Sequence, residues 1–183
     1  QLIYINKSED NKDKLTFFNS DGSTSGACGN GTRCVAKILS KEYGKNEINL
    51  QTSSGNLHSL ILNENTVETN IGAATMEWNK IPLQKNLNTE DLRITISDLG
   101  GNKFIGGIAV NVGNPHIIFF VENNKKFNIE KIGPEIEKHE YFPERCNVTL
   151  ATIIDNNLID VKVWERGAGL TKACGTAACA TAY

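Results

Sequence analysis

The chain carries Gly26-Ala27-Cys28-Gly29-Asn30-Gly31-Thr32-Arg33-Cys34, a glycine-rich turn that runs into a helical pattern. Apolar side chains then recur with the spacing of one helix face, at positions 35, 36, 38, 39 and 43. Gly44 follows, and glycine commonly lies just beyond the C-terminal end of a helix. This part of the chain therefore predicts a helix that is entered through the Cys28 turn and ends at Gly44.

A second turn of the same kind lies near the other end of the chain. Ala173-Cys174-Gly175 matches Ala27-Cys28-Gly29, and it also enters a helical stretch, at or near Thr176. A further cysteine follows each turn, at Cys34 and at Cys179. Because the same turn precedes a helix in both halves, the sequence indicates an internal pseudo-repeat.

Short strands fill the rest of both halves. Runs typical of strands, separated by polar turns, lie in the first half at 1–5, 15–18, 48–52, 56–62 and 65–71. In the second half they lie at 93–99, 107–112, 117–121, 147–154 and 158–164. Residues 72–85 form a crossover between the halves, and 131–139 predict another short helix. The fold class predicted is mixed α/β, of the α+β kind.

Each cysteine turn places a thiol beside backbone N–H groups, and the two turns together predict a chemistry that one turn alone does not. A cysteine at a helix N-terminus lies at the positive end of the helix dipole, which is expected to lower its thiol pKa. The first backbone N–H groups of such a helix have no helical partner and suit a carboxylate. These groups belong to Gly29, Asn30 and Gly31 in one turn and to Gly175, Thr176 and Ala177 in the other.

If both turns face one substrate, they predict proton transfer at a carbon atom next to a carboxylate. One thiolate takes the α-proton, and the other thiol returns a proton to the opposite face. The N–H groups stabilise the negative charge that develops on the carboxylate. No cofactor that serves as an electron sink is needed, so we expect none.

The cysteines also allow structural roles or a metal site. A cysteine among glycine and alanine is often a small buried residue, and we expect Cys34 and Cys179 to lie in the core. Cys146 lies in a loop, and its spacing from the other cysteines matches no known motif. The Cys-x5-Cys and Cys-x4-Cys spacings do not resemble a zinc site. Five cysteines also argue against a disulfide framework, and free thiols suit the cytoplasm.

The bulk properties exclude several classes of protein. The 183 residues include 39% hydrophobic and 22% charged residues, with a net charge of -2, which is ordinary for a globular protein. Such a chain lacks the basic surface expected of a nucleic-acid-binding protein. No run approaches the roughly 18 apolar residues of a membrane span, and no signal peptide is apparent.

The remaining candidate residues are ambiguous on their own. His116 follows Gly113-Asn114-Pro115 at the edge of a strand, where a histidine is often structural. Glu165 and Arg166 could form a solvated pair. Asn19, Asn114 and Asn147 lie in turns, which asparagine favours for backbone reasons alone.

Taken together, these motifs resemble the diaminopimelate epimerase family. The resemblance rests on four stretches, whose order and spacing agree over essentially the whole chain: 19–23, 28–34, 113–116 and 164–176. It implies two pseudo-symmetric lobes, each a mostly antiparallel sheet wrapped round a central helix, with the active site in the cleft between them. The lobes would be 1–75, carrying Cys28, and 76–183, carrying Cys174.

The resemblance also implies a role for each candidate residue. Cys28 and Cys174 would be the acid–base pair that epimerises diaminopimelate, and His116 and Glu165 would assist the thiols. Substrate-binding residues would be Gln1, Asn19, Gly29, Asn30, Asn114, Asn147, Glu165, Arg166, Gly175 and Thr176. A bidentate arginine with several amides suits the distal amino-acid end of such a substrate. The full-length protein would be a cytoplasmic homodimer without metal or cofactor, in lysine and peptidoglycan precursor synthesis.

This chain departs from the family pattern at a few points. The family has a segment before Gln1 and continues past Tyr183, and it has Gly-Ala where this chain has Ala177-Ala178. A proline racemase would not need three amides and an arginine, and phenazine-type isomerases of this fold lack the cysteine pair. Three further interpretations stay open: a racemase of another amino acid, a non-catalytic amino-acid-binding fragment, and a redox protein with a Cys28–Cys174 disulfide.

Overall fold

The structure is a computed structural model, and it describes residues 2–8, 12–19, 22–26 and 28–183. Contacts between residues divide the chain into two compact units, Gln1–Ala73 and Ala74–Tyr183. Each unit has its own hydrophobic core. No helix of the described residues is both long enough and apolar enough to cross a membrane.

The first unit is a sheet with one long helix. Its elements are β1 Leu2–Asn6, β2 Lys12–Phe18, β3 Thr24–Ser25, α1 Gly29–Tyr43, β4 Glu47–Thr52, β5 Gly55–Asn63 and β6 Thr66–Asn70. The strand order is β1-β2-β4-β5-β6, with β3 paired to β2. All neighbours are antiparallel except β2 and β4, which the α1 crossover makes parallel.

Helix α1 covers the apolar face of this sheet. Its inward face carries Val35, Ala36 and Leu39, which pack with Phe17 of β2 and Leu50 of β4. The helix ends where the sequence predicts, because Gly44 adopts a left-handed conformation with φ of 64° and its N–H bonds to the Ser40 carbonyl.

The second unit is built on a five-stranded sheet. Its elements are β7 Ile94–Ser97, β8 Lys103–Gly106, β9 Ile108–Asn111, β10 Pro115–Phe120, a 3₁₀ helix Asn124–Lys126, α2 Ile129–Glu137, β11 Asn147–Asp155, β12 Leu158–Glu165, β13 Gly169–Thr171 and α3 Gly175–Ala182. The order is β13-β12-β11-β10-β9, and β7 and β8 form a separate hairpin. Helix α2 packs against β11, β12 and β13, whereas α3 packs against β10 and β11.

The same chain path leads to the cysteine helix in each unit. In the first, β1 and β2 form an antiparallel hairpin, β3 pairs back to β2, and Cys28 then opens α1. In the second, β11 and β12 form the hairpin, β13 pairs back to β12, and Cys174 opens α3. This shared order is the structural counterpart of the repeated Ala-Cys-Gly turn.

The α+β fold class and the mostly antiparallel sheets are confirmed. The lobe boundary after residue 75 and the placement of the active site between lobes stay predictions. The short strands β3 and β13, the strand β8 and the 3₁₀ helix were not predicted.

The prediction that Cys34 and Cys179 are core residues is wrong, since both are exposed. The buried positions of α1 include Thr32, Val35 and Ala36, and those of α3 include Ala177 and Ala180. Each cysteine follows a buried residue by two positions, which is about 200° around a helix and therefore on the opposite face.

Candidate active site

Cys28 is the N-cap residue of α1 in the first unit. Its backbone is extended, with φ of −148° and ψ of 96°, and its sulfur accepts the Gly31 N–H at 3.4 Å. The Thr32 N–H bonds to the Cys28 carbonyl at 2.9 Å, which starts the helix. The thiol thus lies among the first N–H groups of the helix, as the sequence predicts, but the Gly31 N–H is taken by sulfur and is not left for a substrate.

Gly31 is the residue that lets the sulfur occupy this position. A Cβ atom added there would lie 3.1 Å from the Cys28 sulfur and 2.5 Å from Cδ1 of Ile3. A side chain at position 31 would therefore crowd the thiol and the neighbouring β1 strand. The sequence predicts Gly31 only as an N–H donor, because this close approach depends on the position of β1.

Three other predicted residues of the first unit lie at or near its turns. Asn19 follows β2, and its side-chain Nδ2 donates to the Ser23 hydroxyl at 3.1 Å. Asn30 is exposed in the first turn of α1, where its side-chain oxygen accepts from Arg33 at 2.6 Å. Gly29 is buried beside Cys28. Gln1 lies outside the described residues.

Cys174 is the N-cap residue of α3 in the second unit. Its backbone is again extended, with φ of −134° and ψ of 109°, but it makes no side-chain capping bond to the helix. Its sulfur lies 3.4 Å from the Thr176 hydroxyl. Thr176 and the neighbouring Ala177 are buried, and Gly175 is half-buried.

The pKa of the Cys174 thiol differs from what its position at the helix N-terminus predicts. Its pKa is raised to about 11, first because burial disfavours the thiolate, and further because the Glu165 carboxylate repels the negative charge and hydrogen-bonds to the thiol. The hydrogen bond from Thr176 acts in the opposite direction but is outweighed. The expected lowering of this pKa is therefore wrong for Cys174, which holds its proton at neutral pH.

His116 is a fully buried residue of β10 that reaches the start of α3. Its Nε2 lies 3.1 Å from the Thr176 hydroxyl and 2.8 Å from Oδ1 of Asn114. Burial lowers the pKa of His116 to about 3, with a smaller contribution from the charge of Arg166. The imidazole is therefore neutral throughout the physiological range.

The contacts of His116 define which ring nitrogen carries the proton. A carboxamide oxygen can only accept, so the bond to Asn114 requires a hydrogen on Nε2. The other nitrogen, Nδ1, is buried without a hydrogen-bond partner among the described residues. With this tautomer His116 donates towards Thr176, and the Thr176 hydroxyl is free to donate onward to the sulfur of Cys174.

Asn147 and Arg166 are joined through the backbone. Asn147 is 3% exposed; its Nδ2 donates to the Pro115 carbonyl at 2.9 Å, and its Oδ1 accepts the Arg166 N–H at 3.0 Å. The Arg166 guanidinium is half-buried and donates to the Glu144 carbonyl at 2.9 Å. The Asn147 amide thus holds the turn that carries Arg166, and its direct contact with substrate stays a prediction.

Glu165 links the end of β12 to Cys174. Its Oε1 accepts the hydroxyl of Thr171 at 2.5 Å, and its negative charge contributes to the raised pKa of the Cys174 thiol. A carboxylate in this position keeps the Cys174 thiol protonated and so favours its role as an acid. The sequence does not predict Thr171 as a partner of Glu165, because nothing local distinguishes a threonine of a three-residue strand.

The second unit therefore brings together most of the predicted residues: Asn114, His116, Asn147, Glu165, Arg166, Cys174, Gly175 and Thr176. The first unit holds Asn19, Cys28, Gly29 and Asn30. Within the described ranges, no group of three or more His, Cys, Asp or Glu residues could bind a metal ion. The second unit can supply an acid from Cys174, with helix N–H groups for an anion.

Comparison with solved structures defines the class of fold. The chain aligns with a hydroxyproline epimerase of Agrobacterium vitis at a TM-score of 0.66 and 14% identity, over 99% of this chain and 56% of that one. A phenazine biosynthesis protein of the PhzF family from Bacillus anthracis gives 0.56 and 18%, over 98% and 63%. At these identities the likeness concerns the fold alone, which is one that epimerases and PhzF proteins share.

Comparison of sequences defines the family. The family model described as diaminopimelate epimerase matches residues 1–77 and 108–183. A diaminopimelate epimerase of Pelagibacter ubique is 64% identical over 182 residues, and one of Rhodospirillum centenum is 38% identical over 167. The chain therefore belongs to the diaminopimelate epimerase family. It covers 66% and 56% of these two relatives, less than two thirds of either, while they match 100% and 91% of this chain.

Proposed function

We propose that the protein interconverts LL- and meso-diaminopimelate by moving one proton at the α-carbon between two cysteines. The proposal rests on membership of the diaminopimelate epimerase family together with one observation, the cysteine at the N-cap of both α1 and α3. A racemase of another amino acid on the same fold is the alternative that the substrate test below distinguishes.

In the proposed reaction, the sulfur of Cys28 acts as the base for one direction. Its thiolate takes the α-proton, and the thiol of Cys174 gives its own proton to the opposite face of the carbon. Cys28 is then a thiol and Cys174 a thiolate, so no proton or electron is gained or lost. The raised pKa of Cys174, about 11, supports this role because it keeps a proton available at neutral pH.

The reverse direction requires Cys174 to act as the base. That step begins from the thiolate that the forward step leaves on Cys174, which accepts a hydrogen bond from Thr176, and the thiol of Cys28 supplies the proton. His116 holds the Thr176 hydroxyl from the other side. Glu165 assists the forward step, because its charge keeps Cys174 in the thiol form until the proton is given to the substrate.

The reacting carboxylate is proposed to bind at the helix N-termini. Backbone N–H groups of Gly29 and Asn30 and of Gly175 and Thr176 would donate to it, and they would stabilise the charge of the carbanion. We propose that Gln1, Asn19, Asn114, Asn147 and Arg166 recognise the distal amino-acid end, with the guanidinium on its carboxylate. Because the chain itself supplies acid, base and anion site, we expect turnover without pyridoxal phosphate, nucleotide or metal.

The cellular setting is part of the same proposal. An enzyme of this specificity would serve lysine and peptidoglycan precursor synthesis in the cytoplasm, and we propose that the full-length protein is a homodimer. Neither nucleic acid nor a membrane is needed for the reaction.

The decisive experiment is incubation of the full-length protein with LL-diaminopimelate in D₂O. We expect the meso isomer to form and deuterium to appear at the α-carbon, with no change when a chelator is added. Parallel incubations with proline, glutamate and lysine test the alternative racemases. Binding of diaminopimelate without deuterium exchange would contradict the enzyme and support a non-catalytic binding protein.

The proposal also makes a geometric demand on a ligand-bound crystal structure. Each sulfur must come within about 3–3.5 Å of the α-carbon, so the sulfurs of Cys28 and Cys174 should lie roughly 6–7 Å apart on opposite faces of it. A bound substrate whose α-carbon contacts only one of the two sulfurs would refute the two-base mechanism.

A further inference from the structure

Glu137 is a buried carboxylate that the sequence motifs do not include. It is the last residue of α2 and is 5% exposed. Its Oε2 accepts the indole N–H of Trp164 at 2.7 Å, and its Oε1 accepts the Gly167 N–H at 3.2 Å. The Arg145 guanidinium lies 3.7 Å from Oε1 and contributes the compensating charge. A carboxylate at this depth needs such partners, because its burial is otherwise costly.

The position of Glu137 on α2 explains how it meets Trp164. Gly133 and Glu137 are four residues apart and so lie on the same face of the helix. A Cβ atom at Gly133 would lie 2.3 Å from Cγ of Trp164, so only a residue without a side chain lets the indole rest on α2. One helical turn later, Glu137 binds the N–H of that indole.

The contacts of Glu137 lie on both sides of the Glu165–Arg166 pair. Trp164 precedes the pair in β12, and Gly167 follows it in the turn towards β13. The Asn147 side chain holds the Arg166 N–H between these two points. The backbone of Arg166 is therefore fixed by side chains before it, at it and after it, while its guanidinium is held by the Glu144 carbonyl.

We propose that Glu137 is a positioning residue for substrate specificity: it sets the direction in which Arg166 presents its guanidinium to the distal carboxylate of the substrate. This inference rests on the proposed function, in which Arg166 binds that carboxylate. A bidentate arginine contact depends on the orientation of a planar group. A shift of the turn therefore weakens substrate binding, while the Glu165 carboxylate stays held by the hydroxyl of Thr171.

The test compares Glu137→Gln with Glu135→Gln, an exposed glutamate of the same helix that loses the same charge. Glutamine keeps the size of the side chain, but only its carbonyl oxygen can accept a hydrogen bond, so either the bond from the indole or the bond from the Gly167 N–H is lost. We expect the KM for LL-diaminopimelate to rise on the order of tenfold in Glu137→Gln, as for loss of a charged hydrogen bond, with kcat within about twofold. Glu135→Gln should leave both unchanged.

A double-mutant cycle separates positioning from general stabilisation. Once Arg166 is replaced by Ala, Glu137→Gln has no guanidinium left to orient and should no longer raise KM. Trp164→Phe, which removes the indole N–H and keeps the ring on Gly133, should raise KM by about threefold in the wild type and not in Arg166→Ala. This milder variant gives a result even if Glu137→Gln does not fold.

Several results would overturn the inference, each at a different point. If the wild-type protein does not epimerise diaminopimelate, the proposed function is wrong, and so is the inference that rests on it. If the wild type is active but Arg166→Ala leaves KM unchanged, Arg166 does not bind the substrate. If Arg166 binds substrate but Glu137→Gln and Trp164→Phe raise KM equally in both backgrounds, or lower kcat alone, Glu137 is a structural residue.

Discussion

The Nε2 nitrogen of His116 lies 3.1 Å from the hydroxyl oxygen of Thr176, although 60 residues separate them in the chain. The same hydroxyl lies 3.4 Å from the sulfur of Cys174. Because Nε2 also donates to Asn114, His116 cannot accept a proton at that nitrogen. In this arrangement the histidine orients the threonine hydroxyl towards the sulfur and is not itself the base for Cys174.

This arrangement predicts that the Thr176 hydroxyl sets the ionisation of Cys174. Thr176→Val should raise the pKa of the Cys174 thiol above about 11 by roughly one unit, because the hydrogen bond that stabilises the thiolate is lost. Thr176→Ser should restore it. The rate of iodoacetamide reaction at Cys174, followed by peptide mass spectrometry against pH, measures the shift. Thr181→Val, which removes a hydroxyl bonded within the same helix, is the control; an equal shift there would contradict the assignment.

Both cysteines of the proposed pair should be essential. Cys28→Ala and Cys174→Ala should each lower the rate of LL-to-meso conversion by at least about a thousandfold, and the double variant should be little worse, since the two groups act as one unit. Chiral chromatography of the product measures the rate, and Cys34→Ala serves as the matched control on the exposed face of α1. Substantial turnover in either single variant would rule out a two-base mechanism.

The buried imidazole of His116 should make stability depend on pH in the acidic range. Its pKa is about 3 in the folded protein, below the ordinary value of 6.5, so the unfolded chain binds a proton first as pH falls. The free energy of unfolding should therefore decrease between about pH 6.5 and 3, by at most a few kcal/mol, with no contribution from His116 above that range. Urea unfolding at several pH values measures this effect. In His116→Gln the free energy of unfolding should depend less steeply on pH than in the wild type. The exposed His58, replaced by Gln, should retain the wild-type slope.

Replacement of Arg166 by Lys should impair recognition more than folding. Lysine keeps the positive charge but lacks the planar donor fork, so we expect the KM for diaminopimelate to rise about tenfold or more. The circular dichroism spectrum and thermal midpoint should change little, because among the described residues the guanidinium makes one hydrogen bond, to the Glu144 carbonyl. Arg93→Lys, at an exposed position, is the control. If Arg166→Lys binds meso-diaminopimelate as the wild type does, Arg166 is not a substrate ligand.

Because Cys34 and Cys179 are exposed, their replacement by alanine should destabilise the protein less than replacement of the buried Cys146. Alanine at either exposed position should change the free energy of unfolding by no more than about 0.5 kcal/mol. Cys146 is fully buried, and its thiol donates to the Ile136 carbonyl at 3.6 Å, so Cys146→Ala should cost about 1 kcal/mol. Urea unfolding measures all three variants, and an equal loss in all of them would show that the helix faces are assigned wrongly.

Local sequence was sufficient to predict the helices and strands that have a long apolar pattern with clear ends. Helix α1 could be predicted because its apolar positions repeat over several turns and Gly44 ends it. The strands β5, β11 and β12 could be predicted for the same reason, since polar turns delimit them. Strands β3 and β13, of two and three residues, are too short to show a periodicity, and pairing with β2 and β12 is what makes them strands.

The amino-acid sequence by itself determined that two cysteines stand at the starts of two helices, because capping and periodicity act over a few neighbouring residues. It also carried the motifs that place the chain in its family. The tertiary structure decided the environment of those groups. Burial and the Glu165 carboxylate raise the pKa of Cys174 where the helix dipole alone would lower it. Likewise, Glu137 meets Trp164 and Gly167 only because α2 packs on β12. Desolvation and charge depend on residues distant in the chain, so no local pattern can reveal them.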